Sequence, residues 1–76
     1  MDYGKIAYVG GGNMTRALAG GMIAAGYEPG HVLISEPLPE HRASLMTELP
    51  GTVVLESNED AVRDAECIVF AVKPQI

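Results

Sequence analysis

The chain predicts a doubly wound α/β domain, and three observations carry that expectation. Four short apolar runs rich in strand formers lie at residues 5–9, 31–35, 52–55 and 67–72. Stretches of helical character separate them, and the connections are only a few residues long. Strand, helix, strand, helix, strand, helix, strand in this order implies a parallel sheet with right-handed crossovers. With 76 residues there is room for one domain, and a domain of this size buries only about 60% of the surface its unfolded chain exposes.

Lys5-Ile6-Ala7-Tyr8-Val9 is stopped by Gly10-Gly11-Gly12, where an ordinary strand cannot continue. A helix is expected over 13–25, with Met14, Leu18 and Met22 as its apolar stripe and Gly26 as the residue that ends it. Gly20-Gly21 inside that helix costs about 1 kcal/mol per glycine relative to alanine, which close packing on a sheet would offset. Pro29-Gly30 marks a turn before the second strand, which ends at Glu36-Pro37. A shorter helix between Pro39 and Leu49 carries Leu45 and Leu49 on one side, and Pro50-Gly51 closes it. Ser57 followed by Asp60 resembles a capping box for a brief helix running to Ala65. The last run, beginning at Cys67, is apolar throughout, as in a strand covered on both faces. The whole reads as a Rossmann-like fold: its first mononucleotide-binding half plus one strand, β-α-β-α-β-α-β. As an isolated unit it would expose strand four as a parallel edge, with an apolar face prepared for further elements.

Charge and composition exclude several classes of function. Five Lys and Arg against ten Asp and Glu give a net charge of −5, which disfavours nucleic acid and anionic membrane surfaces as partners. No run reaches the roughly 18 apolar residues of a membrane span, and the run at 5–9 enters glycines instead of a cleavage site. The single Cys67 has no internal disulfide partner, so a reducing, cytoplasmic setting is expected.

The chemistry is expected at the first strand-to-helix turn. Gly10-Gly11-Gly12-Asn13-Met14-Thr15 matches G-x-G-x-x-(G/A) at its first two fixed positions, with Thr15 in place of the small third residue. Gly10 permits a sharp turn, Gly12 lets backbone N–H groups approach a pyrophosphate, and the helix start adds about half a positive charge. Thr15 implies a larger helix-to-strand separation or a rotated helix. Glu36 stands 26 residues beyond Gly10 at the end of strand two, where a carboxylate accepts hydrogen bonds from a ribose hydroxyl and repels a 2′-phosphate. The expectation is therefore NAD(P)H, leaning toward NADH, with Arg42 as the nearby group that could favour the phosphate instead. A Walker-type loop needs Gly-Lys-Ser/Thr, and Asn13-Met14 follows Gly12, so that reading fails. An S-adenosylmethionine-binding domain survives on geometry, as does a nucleotide-binding module without catalysis.

Cys67, Met14, Met22 and Met46 read as core residues, with Met14 also placed in the turn. His31 and His41 have no paired ligand, so no metal is expected. Glu56, Glu59, Asp60, Asp64 and Glu66 read as a solvated face.

Gly10-Gly11-Gly12-Asn13-Met14, Ala17-Leu18 with Gly21, Ser57-Asn58-Glu59-Asp60-Ala61-Val62 and Phe70-Ala71-Val72-Lys73-Pro74-Gln75 together resemble the amino-terminal domain of pyrroline-5-carboxylate reductases. The glycines alone would also suit hydroxyacid dehydrogenases or deazaflavin-dependent oxidoreductases. The resemblance implies an NAD(P)H-dependent reduction of the C=N bond of 1-pyrroline-5-carboxylate to give L-proline. It places Gly10, Gly11, Gly12, Asn13 and Met14 at the pyrophosphate, and Ser35, Glu36, Pro37 and Asn58 about the adenosine ribose. Ala71, Val72, Lys73 and Pro74 would border the nicotinamide half. It assigns no catalytic side chain within 1–76. It further implies a mostly helical carboxyl-terminal domain, outside these residues, that forms the dimer and supplies much of the substrate pocket.

Overall fold

The structure is a computed structural model that describes residues 4–70. Four strands, β1 (Ile6–Val9), β2 (Val32–Ser35), β3 (Val53–Leu55) and β4 (Cys67–Phe70), alternate with three α-helices, α1 (Asn13–Ala24), α2 (Pro39–Glu48) and α3 (Asn58–Arg63). All pairings are parallel and the sheet order is β3-β2-β1-β4. The chain therefore winds outward from β1 to β3, then returns past β1 to lay β4 on its other side. This is the expected Rossmann-like topology, and it places the carboxyl ends of β1 and β2 side by side.

Strand periodicity divides the core in two. Tyr8, Val32 and Ile34 face α1 and α2 and pack with Ala19, Tyr27, Leu45 and Leu49. Ala7 and Leu33 face the opposite side and pack with Ala61 of α3. Two covered faces explain why β2 is buried at every position.

Element ends differ from the sequence expectation by a residue or two. His31 belongs to a 3₁₀ turn (Pro29–His31) in which Gly30 N–H donates to the Glu28 carboxylate, and α3 stops at Arg63. The terminus of α1 is as expected: Gly26 has φ +106°, and Gly26 N–H and Tyr27 N–H donate to the carbonyls of Ile23 and Met22, the paired bonds of a Schellman motif. Ser57 Oγ accepts from Asp60 N–H at 3.4 Å, capping α3.

The buried face of α1 is not the Met14, Leu18, Met22 stripe. Thr15 and Ala19 are fully buried, whereas Met14 and Leu18 are 55% and 45% exposed. Thr15 is turned inward by the bond its hydroxyl donates to Gly10 O, and Ala19 packs into the cluster of Tyr8, Ile34, Leu45 and Leu49. Of the expected stripe only Met22 stays inward, receiving the Tyr8 hydroxyl on its sulfur. Gly20 and Gly21 make no unusually close approach: a Cβ on Gly20 would be 3.6 Å from Leu49, and one on Gly21 would meet nothing within 4 Å. Met46 is also exposed. Cys67 is exposed rather than core, because β4 lies at the sheet edge and α3 covers Ala7 and Leu33. Ile68 and Phe70 are exposed with it, so β4 is the apolar edge anticipated for the unit alone. The five acidic residues from Glu56 to Glu66 are all exposed.

Candidate functional site

The turn after β1 is held by backbone geometry before any side chain contributes. Gly10 N–H donates to Ser35 O at 3.1 Å, extending the β1–β2 ladder by one residue. Gly10 then adopts φ +107°, a conformation that side-chain-bearing residues rarely enter. Gly12 is the N-cap of α1 and, being a glycine, brings no capping side chain to the first N–H groups of that helix. Those groups have no intrahelical acceptor and carry the positive end of the helix dipole. A Cβ built on Gly12 would meet nothing within 4 Å. The loop therefore presents bare backbone to open space at the point where a pyrophosphate is expected.

Gly11 has a different role. Its Cβ would fall 2.7 Å from Leu45 Cδ1 and 2.8 Å from Glu36 Oε1, so the loop rests directly on α2 and on the end of β2. Its N–H donates to Glu36 Oε1 at 3.2 Å. Thr15 Oγ1 donates to Gly10 O from the first turn of α1, and Arg16 Nε lies 3.4 Å from Gly11 O while its guanidinium pairs with Glu48. Thr15 thus serves the loop with its hydroxyl where a smaller residue would only pack. Its fit was legible in sequence only as a departure from the glycine pattern.

Beside the loop opens a cleft of about 270 Å³ lined by Val9, Gly10, Ser35, Pro37, Glu56 and Asn58. Ser35 Oγ donates to Asn58 Oδ1 at 2.6 Å, tying the end of β2 to the first residue of α3. Gly10, Ser35, Pro37 and Asn58, singled out separately in the sequence, meet here. Asn13 and Met14 lie at the exposed start of α1. Ala71, Val72, Lys73 and Pro74 lie outside the described residues.

Glu36 does not present its carboxylate at the open end of β2, as a contact to a ribose hydroxyl or a 2′-phosphate would require. It is 7% exposed. One oxygen faces Gly11, and the other accepts from Leu38 N–H at 3.1 Å with His41 Nδ1 at 3.7 Å. Arg42 donates to the carbonyls of Glu36 and Pro37, at 2.9 Å each, and lies 3.9 Å from Glu56. Glu56 remains on the cleft wall as the exposed acid. Sequence reasoning missed Arg42 as a brace and Glu56 as a lining residue, since both depend on how β2, α2 and the β3–α3 turn converge.

Among the described residues no group of three or more His, Cys, Asp or Glu could hold a metal ion, and no helix is long and apolar enough to cross a membrane.

A glycine turn feeding a helix whose N-cap is itself a glycine, with a cleft at the ends of the first two strands, defines a dinucleotide-binding class of α/β domain. The chain belongs to the family described as NADP oxidoreductase coenzyme F420-dependent, which matches residues 5–76. It is 43% identical to the pyrroline-5-carboxylate reductase of Pseudomonas aeruginosa over 75 residues, covering 99% of this chain and 27% of that protein. The enzymes of the same name from Escherichia coli and Pisum sativum are 38% and 35% identical over 73 and 76 residues, covering 95% and 99% of this chain and 27% of each enzyme. The chain thus spans about a quarter of the length of these relatives.

Proposed function

We propose that these residues form the NAD(P)H-binding part of a cytoplasmic oxidoreductase that reduces 1-pyrroline-5-carboxylate to L-proline. The observation that carries the reading is the open space beside Gly12 at the start of α1. A side chain at Gly12 would project into that space, which at a helix start suits a diphosphate. The similarity to pyrroline-5-carboxylate reductases over nearly the whole chain supplies the substrate.

In this reading Gly12, Asn13 and Met14 offer backbone N–H groups to the pyrophosphate, while Gly10 and Gly11 shape the turn. Ser35, Pro37 and Asn58 receive the adenosine ribose in the cleft. That cleft is smaller than the roughly 300–1,000 Å³ of pockets that enclose a drug-sized ligand, so it takes one end of an elongated dinucleotide. The resemblance assigns Ala71, Val72, Lys73 and Pro74 to the nicotinamide half. When bound, the dihydronicotinamide supplies hydride to the C=N carbon; the protein's part is to orient it and limit water. NADH is the favoured form, because the exposed Glu56 carboxylate stands on the cleft wall and Arg42 is committed to two backbone carbonyls.

The relatives extend well beyond the matched quarter, so the substrate pocket and dimer contacts are assigned to residues outside this segment. The 76 residues should bind dinucleotide and give no turnover. Melting temperatures with NADH, NADPH and S-adenosylmethionine added separately test the reading: the dinucleotides should raise them and S-adenosylmethionine should not. The reverse outcome selects the S-adenosylmethionine-binding alternative, and reduction of 1-pyrroline-5-carboxylate by these residues above a buffer blank overturns the division of labour.

A further inference from the structure

We infer that Glu36 is a positioning residue for the phosphate-binding turn, acting through Gly11, and does not set the choice between NADH and NADPH. The inference rests on the dinucleotide reading above and concerns how the same site is held.

An acid at the end of the second strand would ordinarily turn outward to a ribose. Here the residue after it is Pro37, which has no N–H to donate. The next donor, Leu38 N–H, takes Oε2 at 3.1 Å. That contact leaves Oε1 directed back across the top of α2 at the loop, where Gly11 N–H is 3.2 Å away and buried. The absent side chain of Gly11 admits the carboxylate: a Cβ there would sit 2.8 Å from Oε1 and 3.2 Å from the Glu36 Cβ.

Two consequences follow from this arrangement. Gly11 N–H is spent on Glu36 and points away from a bound phosphate, so the donors facing the ligand begin at Gly12. The loop is also fixed at successive positions, by Ser35 O and Thr15 at Gly10 and by Glu36 at Gly11. A buried N–H deprived of its acceptor must seek water or another partner, and the turn must shift for it to do so. Loss of Glu36 should therefore loosen the pyrophosphate site, which NADH and NADPH share, leaving the ribose that distinguishes them to other groups.

The test measures NADH and NADPH dissociation constants by cofactor fluorescence for wild type, Glu36→Ala and Glu36→Gln, with hydrogen exchange of the Gly11 amide read by NMR in the ligand-free proteins. Glu36→Ala should weaken both dinucleotides by about tenfold, the scale of one charge-assisted hydrogen bond. The NADH-to-NADPH ratio should stay within about threefold of wild type, and the Gly11 amide should exchange at least about tenfold faster. Glu36→Gln keeps one acceptor, which serves Gly11 when its NH2 is turned toward Leu38, and should recover part of the affinity and of the protection. Weakening of NADH alone, tightening of NADPH, unchanged Gly11 exchange in Glu36→Ala, or a Gln variant no better than Ala would each overturn the inference while leaving dinucleotide binding intact. A wild type that binds neither dinucleotide overturns the functional reading itself, and this inference with it.

Discussion

Gly11→Ala separates the two kinds of glycine in the loop. A methyl group at Gly11 would lie 2.7 Å from Leu45 Cδ1 and 2.8 Å from Glu36 Oε1, both too short. Leu45 is fully buried and Glu36 nearly so, so neither can swing into solvent. Forcing an extra carbon into such a site costs about 1–3 kcal/mol, and the stiffer unfolded chain returns about 0.4–1 kcal/mol. The net loss, about 1–2 kcal/mol, corresponds to a fall in melting temperature of about 5–15 °C for a domain of this size. Gly12→Ala serves as the control: its methyl group meets nothing within 4 Å and its φ is −78°, so its cost is the difference between Gly and Ala at an N-cap, below about 1 kcal/mol. The chain has no tryptophan, so far-ultraviolet circular dichroism follows the unfolding. A Gly11→Ala protein melting within about 2 °C of wild type, or a Gly12→Ala protein melting lower than Gly11→Ala, would refute the close approach of the loop to α2.

Gly12→Val should abolish NADH binding in calorimetry while the protein still folds, because the side chain would fill the diphosphate position; unchanged affinity in a folded variant removes the phosphate-loop assignment. Glu56→Gln should shift preference toward NADPH by about threefold, the scale of one screened charge interaction, and equal ratios in wild type and variant count against Glu56 as the discriminating acid. Tyr8 ionises above its ordinary value of 10.0 because burial disfavours the phenolate, with the charges of Cys67 and Tyr27 adding to it. The folded state then holds a proton that the unfolded chain gives up near pH 10, so this contribution to stability is full below that pH and is lost as pH rises through the folded value. Melting temperature should fall less steeply above about pH 10 in Tyr8→Phe than in wild type; equal slopes would exclude Tyr8 as the source.

The fold was legible because alternation is a local property: each apolar run and each break could be read without knowing what lay opposite. The glycine turn was legible for the same reason, since Gly10 and Gly12 act through their own backbone. What escaped were features made by two elements at once. Which face of α1 is buried depends on how the turn orients the helix, and that orientation buries Thr15 and Ala19 while leaving Met14 and Leu18 exposed. The inward turn of Glu36 depends on Gly11 and Leu45, 25 residues before it and 9 after it. Cys67 was read as core from its neighbours in sequence, but its exposure follows from the position of β4 in the sheet.

The strand order also sets a timetable for folding. In the central β1, Ile6 pairs with Val32 on one side and with Cys67 on the other, closing separations of 26 and 61 residues. The longer closure costs about 0.8 kcal/mol more in chain entropy, and three of the four residues of its strand are exposed. β1, β2 and β3, which carry the glycine turn and the cleft beside it, can associate before β4 arrives. Amide protons that tie β4 to β1 should therefore exchange with solvent sooner than those between β1 and β2. The glycine turn and its cleft thus belong to the strands with the shorter closures, and β4 is the strand expected to open first.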